Sequence, residues 1–310
     1  MTGRGGVAPG RSDGGRASFL RACELDVAVR KPGNVCRASP GHGMQAEMFI
    51  RSAQAAAEPL FLPGSRVGAR IEGAQAASWQ AAGCNTNLGI LLLCAPIAAA
   101  VERCPMPAGS IGVDALRRAL ETVLGGLDLD DAGAAFRAIA AARPGGLGSA
   151  PSQDVRSAPT VGLRAAMALA APRDSIARQY RDGFAELFDL ALPALGSGLV
   201  RADPGGLADA GTAQAVQRLY LTLLASRPDS HIVRKHGESV AQIVMSSAQA
   251  WRARADGGMH LDADAGFVTW DAQLKADGLN PGTTADLTVA TLMLAGLTAA
   301  ATEPDSGASR

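Results

Sequence analysis

Four short polar clusters carry most of the residues in this chain that could do chemistry. They read Lys31-Pro32-Gly33-Asn34; Gly83-Cys84-Asn85-Thr86-Asn87-Leu88-Gly89; Arg227-Pro228-Asp229-Ser230-His231 running on to Arg234-Lys235-His236-Gly237; and Asn280-Pro281-Gly282-Thr283-Thr284-Ala285-Asp286. A helical chain needs only a Ser, Thr, Asp or Asn to open a helix and a Gly to close one. Clusters that join Lys, Arg, His, Asn and Asp to Gly and Pro exceed that need, and they read as parts of one site brought together by folding.

Their chemistry is that of anion binding and proton transfer. Asn85, Thr86 and Asn87 sit in a Gly-bounded turn ahead of an apolar helix, where free backbone N–H groups and the helix dipole favour phosphate oxygens; a plain helix cap is the alternative. Lys31 brings a mobile positive charge, and Pro32 stops the preceding helix so that the loop with Asn34 can fold inward; a surface Lys beside a helix stop is the alternative. His42 follows in a Pro-Gly-His-Gly turn. In the third cluster Asp229 can act as a base or hold Mg²⁺, while His231, Arg234, Lys235 and His236 can neutralise a polyphosphate. In the fourth, Asn280, Thr283 and Thr284 lead into a helix start. Thr283 and Asp286 have capping-box spacing, and Asp286 is also a candidate to face a ligand or metal.

Several alternatives fail on inspection. The chain has no GxxxxGK[ST], no GxGxxG behind a strand and no HExxH. Its four histidines and five cysteines lack zinc spacing. Basic and acidic residues balance at 29 each, so no overall field draws nucleic acid or an anionic membrane, and an anionic small molecule must be held locally. Nucleotide-like small molecules are therefore the expected partners, and the composition admits a homo-oligomer. The cysteines carry no CxxC pair and read as reduced thiols of a cytoplasmic protein. The apolar runs 88–101 and 287–301 are too short to span a bilayer.

The elements that must position these clusters are helices. Aromatics make up only 4% and the hydrophobic share is 47%, so the core must be Ala, Leu, Val and Ile in close packing. Apolar spacing predicts helices from Ser18 to before Pro32, then 44–57, 67–82 (ending on Gly83), 88–102, 113–124, 130–142, 160–171, 174–192, 211–226, 237–255, 264–276 and 284–300. No segment alternates like a strand. The expectation is an all-α, bundle-like single domain over 17–302, with its site at converging helix ends and disordered tails at 1–16 and 303–310. The Gly/Ser/Pro-rich segment 144–159 reads as a lid or as a plain long connection.

The clusters, in this order, resemble the triphosphoribosyl-dephospho-CoA synthase family, whose motifs are a Lys-Pro-Gly loop, a Gly/Ser-His turn, Gly-Val-Asn-Thr-His-Lys-Gly, Asp-Thr-Asn leading to His-Arg-Gly-Gly, and Ser-Pro-Gly-Gly-Ala-Asp. The matching stretches are Lys31–Gly33, His42, Gly83–Gly89, Asp229–Gly237 and Pro281–Asp286. Asn87-Leu88 stands where the family has His-Lys. The resemblance implies a pentosyl transfer: the ribose 2′-OH of dephospho-CoA attacks C1′ of ATP and adenine leaves. It implies Asp229 as base or Mg²⁺ ligand, with Asp286 as a second metal ligand, and Lys31 and Arg234 as phosphate clamps. Asn85, Thr86 and Asn87 would be donors, and His42 or His236 the acid for the base. Asn34, His231, Lys235, Asn280, Thr283 and Thr284 complete the expected substrate contacts. The rivals are a phosphoribosyl-type transferase making another cofactor, such as a pterin one-carbon carrier; an α-helical Mg²⁺-dependent glycosyl hydrolase; and a non-enzymatic nucleotide-binding protein.

Overall fold

In the computed structural model the described residues are 9–104, 111–196 and 209–298. Among them are fourteen α-helices and no strand: α1 Pro9–Ala28, α2 Ala46–Leu60, α3 Val67–Ala82, α4 Leu88–Val101, α5 Val113–Gly125, α6 Leu129–Ala142, α7 Leu163–Ala170, α8 Ser175–Arg181, α9 Leu192–Leu195, α10 Ala210–Ser226, α11 Ser230–His236, α12 Glu238–Asp256, α13 Ala265–Ala276 and α14 Gly282–Thr298. The expected all-α fold is the observed one.

Composition explains the arrangement. Helices α4 and α14 are apolar on every side, so only a central position satisfies them. All of α4 but Gly89 and Ala99 is buried, and α14 is buried along most of its length. Helix α1 packs on α14, α2 and α4; α3 joins α2 to α6; α10 joins α14 to α12. One large apolar cluster spans α1–α10 and α14, and a smaller one gathers Tyr220, Leu224, Ile232, Val244, Phe267 and Leu274 around α10–α13. No described helix is long and apolar enough to cross a membrane.

Several local expectations are corrected. Helix α1 begins at Pro9, so Ser18 lies inside it rather than at its cap, and only residues 1–8 of the tail expected at 1–16 lie outside the described residues. The tail expected at 303–310 also lies outside them. The helix expected over 174–192 breaks after α8: Gly183 and Phe184 both take positive φ (63° and 60°), and the chain restarts as a π-helical turn at Leu187–Ala191 before α9. Gly83 closes α3 in the left-handed conformation, as expected.

Candidate active site

A cavity of about 690 Å³ opens where α4, α14 and α8 begin, with α11 beside it, which is the usual size of a small-molecule site. Residues of the segment between α6 and α7, Pro144–Ala150 and Gln153–Val155, also line the cavity. One part of the lining is apolar, formed by Phe136, Ile139, Ala166, Met167 and Ile176; the other carries Asp26, Asn34, His42, Asn280, His231 and Asp286, with Arg143, Arg173, Arg234 and Lys235 also on the wall.

The fold fixes this polar part through a few buried residues. Asp229 N-caps α11, its Oδ1 accepting from the backbone N–H of His231 (2.8 Å) and Ile232 (3.1 Å). Its Oδ2 accepts from Thr284 N (2.8 Å) and Thr284 Oγ1 (2.7 Å) at the start of α14. One carboxylate thus caps two helices from distant parts of the chain. It also corrects the expected Thr283/Asp286 capping box: α14 is capped from outside, Thr283 Oγ1 instead accepts from Ser230 Oγ (3.0 Å), and Asp286 is left free.

The Lys31–Asn34 loop is held as tightly. Gly33 has φ +79°, and a Cβ there would lie 2.8 Å from Leu279 O and from Pro281 Cδ, so only Gly fits. Gly33 N donates to the buried Asp271 (2.9 Å), which also pairs with Arg30 and Lys275. Tyr220 OH donates to Pro32 O (2.8 Å), and His42 Nε2 to Gly33 O (2.8 Å). Asn34 Nδ2 donates to Asn280 Oδ1 (3.1 Å), joining the first and fourth clusters at the cavity wall.

Ten sequence-predicted residues line the cavity together: Asn34, His42, Asn85, Thr86, His231, Arg234, Lys235, Asn280, Thr283 and Asp286. Five lie behind or away from it. Lys31 is fully buried and paired with Asp26 (Nζ–Oδ1 3.0 Å), so it is not a phosphate clamp. Asn87 is buried, its amide bonding Ser52 Oγ, Ala53 N and Thr86 O. Asp229 is bonded on both oxygens and lies outside the lining, with Thr284 as its partner. His236 is exposed at the end of α11 and is not part of the lining.

Electrostatics separates the remaining groups. Asp286 has no hydrogen-bond or ion-pair partner among the described residues. It sits deep, its exposed surface facing the cavity, and a methyl group on Gly89 would overlap its carboxylate. Burial above all, then the charges of Asp26, Asp229 and Asp174, hold its carboxyl well above the usual range. Burial also pushes Asp26 up, and Lys31 pulls it back down. His231 is driven to a pKa of about 3 by burial and by Lys235 and Arg234, so it is a neutral hydrogen-bonding group at ordinary pH. Sequence reasoning missed Asp26, Arg143 and Arg173. Only Asp26 left a signal: it interrupts the apolar stripe of α1, three residues after Cys23.

Helix starts, cations and two buried carboxylates around one nucleotide-sized cavity define the class: an all-α enzyme of nucleotide chemistry. The family model for ATP:dephospho-CoA triphosphoribosyl transferase (CitG) matches residues 15–304, and the chain belongs to that family. The family's reaction is transfer of a triphosphoribosyl unit from ATP to dephospho-CoA. A crystal structure described as a triphosphoribosyl-dephospho-CoA synthase from Archaeoglobus fulgidus is similar, with TM-score 0.58 and 23% identity over 81% of this chain and 99% of that one; at that identity the likeness speaks for the fold. No curated protein matches the chain.

Proposed function

We propose that the transfer takes place in the 690 Å³ cavity, with Asp286 as the acid that protonates the departing adenine. The observation that carries this reading is a carboxyl facing the cavity without a hydrogen-bond or ion-pair partner among the described residues, against the close-packed Gly89 at the start of α4. Adenine leaves C1′ with the electron pair of the glycosidic bond and needs a proton as it goes. A carboxyl held well above its usual range by burial and by neighbouring carboxylates, against the pull of Arg234, is such a donor. Arg234, Lys235, Arg143 and Arg173 line the cavity with four positive charges for the triphosphate. Asn85 and Thr86 stand at the start of α4, where backbone N–H groups favour anions. His231 and the Asn34–Asn280 pair offer uncharged hydrogen bonds to sugar or base.

The residues do not form a Mg²⁺ cage. Among the described residues no three His, Cys, Asp or Glu side chains converge on a metal position, and Asp229 is fully engaged. Neither Asp229 nor Asp286 is assigned as a metal ligand. Mg²⁺ that arrives on ATP is held by phosphate oxygens and water, as this ion prefers. The same lack of a clustered acidic site disfavours the Mg²⁺-dependent hydrolase.

The test follows adenine. Wild-type protein with ATP and dephospho-CoA is expected to release free adenine only when both are present. Asp286→Asn is expected to lose about 10²–10⁴-fold in kcat with its melting cooperative. Unchanged adenine release by a folded Asp286→Asn protein would remove Asp286 from the chemistry.

A further inference from the structure

We propose that Asp26 is the general base of the transfer and that Lys31 is its buried counter-ion. The proposal rests on the placement of the reaction in the cavity.

Four carboxylates reach the cavity wall, and two are already occupied. Asp154 is bound on both oxygens by Ala150 N, Arg156 N and the Arg156 guanidinium. Asp174 caps α8 through Ala177 N (2.9 Å) and faces Arg234 at 3.8 Å. Asp286 is the acid of the reading above. That leaves Asp26, whose position is otherwise hard to explain: an ionisable side chain in the apolar stripe of α1, only 4% exposed, costs stability unless it is paired. Its pair is Lys31, 3.0 Å away and 0% exposed, which also donates to the Asp26 carbonyl. Lys31 is sealed from the cavity while Asp26 lines it. A cation that cannot touch substrate therefore stands behind a carboxylate that can. Asp26 Oδ1 is the buried oxygen that meets Lys31; no hydrogen bond among the described residues reaches Oδ2, so that oxygen is the acceptor left for an incoming hydroxyl proton.

The step balances with these two groups. As the acceptor's 2′ oxygen bonds to C1′, its proton passes to the Asp26 carboxylate. The C1′–N bond breaks, its electron pair stays with adenine, and adenine takes the proton of Asp286. After release Asp26 is protonated and Asp286 ionised, and one proton exchanged through solvent resets the pair. The titratable neighbours of Asp26 are Lys31 in the loop after α1, Asp286 on α14, Tyr220 on α10 and Cys23 on its own helix. Burial raises the Asp26 carboxyl, and Lys31, the one cation among these neighbours, lowers it again towards the range where it can act as a base.

Two donors and four variants test this. The donors are ATP and a ribose 5-triphosphate carrying 4-nitrophenolate at C1′, a leaving group that needs no acid. Asp26→Asn is expected to lose about 10²–10⁴-fold in kcat on both donors, with KM for either changed by no more than about threefold. Because that variant leaves a buried lysine unpaired, Asp26→Asn/Lys31→Met is made as well, and it is expected to fold and to remain as slow. Lys31→Met alone is expected to lower kcat at neutral pH and to move the acid limb of the kcat profile to higher pH, since losing the cation makes Asp26 harder to ionise. Recovery of wild-type kcat in the double variant, a loss confined to KM, or an acid limb that stays put would each overturn the proposal. The Asp286 reading fails separately: Asp286→Asn would then be as slow on the nitrophenyl donor as on ATP, whatever Asp26 does.

Discussion

Asp229 and Asp286 are of one residue type, lie in neighbouring motifs, and have opposite surroundings. Asp229 collects four hydrogen bonds; Asp286 collects none from the described residues and faces open space. The second condition has a measurable cost. A carboxyl whose folded-state pKa is raised favours folding fully below its unfolded pKa, and that contribution disappears as pH rises towards the folded value. Asp286 is in this position. Asp286→Asn should therefore melt above wild type near pH 8, and the gap should narrow towards about pH 5; thermal melts across that range decide, and a gap independent of pH would contradict the desolvated state. In the sequence Asp229 reads as the chemical residue and Asp286 first as part of a capping box, because type and spacing say nothing about which oxygen is already bonded. Lys31 misled for the same reason. A lysine beside Pro-Gly reads as a mobile surface charge, and only its partner in the preceding helix shows that it is locked inside.

At the scale of elements, the two helix starts that share Asp229 predict a structural rather than catalytic phenotype. Asp229→Ala strips α11 of its cap and leaves Thr284 N–H without an acceptor in a buried place. The loss should be about 3 kcal/mol, read from chemical denaturation, with residual activity tracking the folded fraction. Gly89→Ala should cost about 1–3 kcal/mol by forcing a methyl against Asp286 and Ile176, and it should also slow turnover because the carboxyl must move. A variant that keeps both stability and rate would show that α4 and α14 are further apart than described. Helix positions themselves were readable: α3, α5, α6, α10, α12 and α13 fall within a residue or two of the pattern, because long amphipathic or Ala/Leu runs bounded by Gly, Pro and Asp leave few alternatives. The break after α8 was not readable, since it depends on Phe184 in the left-handed region, a conformation its side chain accepts only because it is packed at 0% exposure.

On the scale of the whole molecule, the cavity has cations and a Gly-rich loop on its walls. Arg143, Arg173 and Lys235 are exposed, so their attraction for a triphosphate is screened by salt. KM for ATP should rise with ionic strength, and Arg173→Ala should weaken that dependence while kcat changes little; an ionic-strength series on both proteins checks this. The loop rests on α11 through Arg234 Nε donating to Gly145 O (2.9 Å), so ATP bound at Arg234 should slow protease cleavage within 144–159. Equal cleavage with and without ATP would take the loop out of substrate binding. Neither feature was legible beforehand, because Arg143 and Arg173 stand outside the motifs and composition alone does not say where a Gly-rich segment comes to rest. The packing of α1 on α14 reaches further. Asp26 lies on α1 and Asp286 on α14, and translation makes α1 first, so a growing chain on the ribosome holds only one of the two proposed proton-handling carboxyls until α14 emerges. On that proposal a chain cut before α14 is expected to release no adenine from ATP, with or without an acceptor.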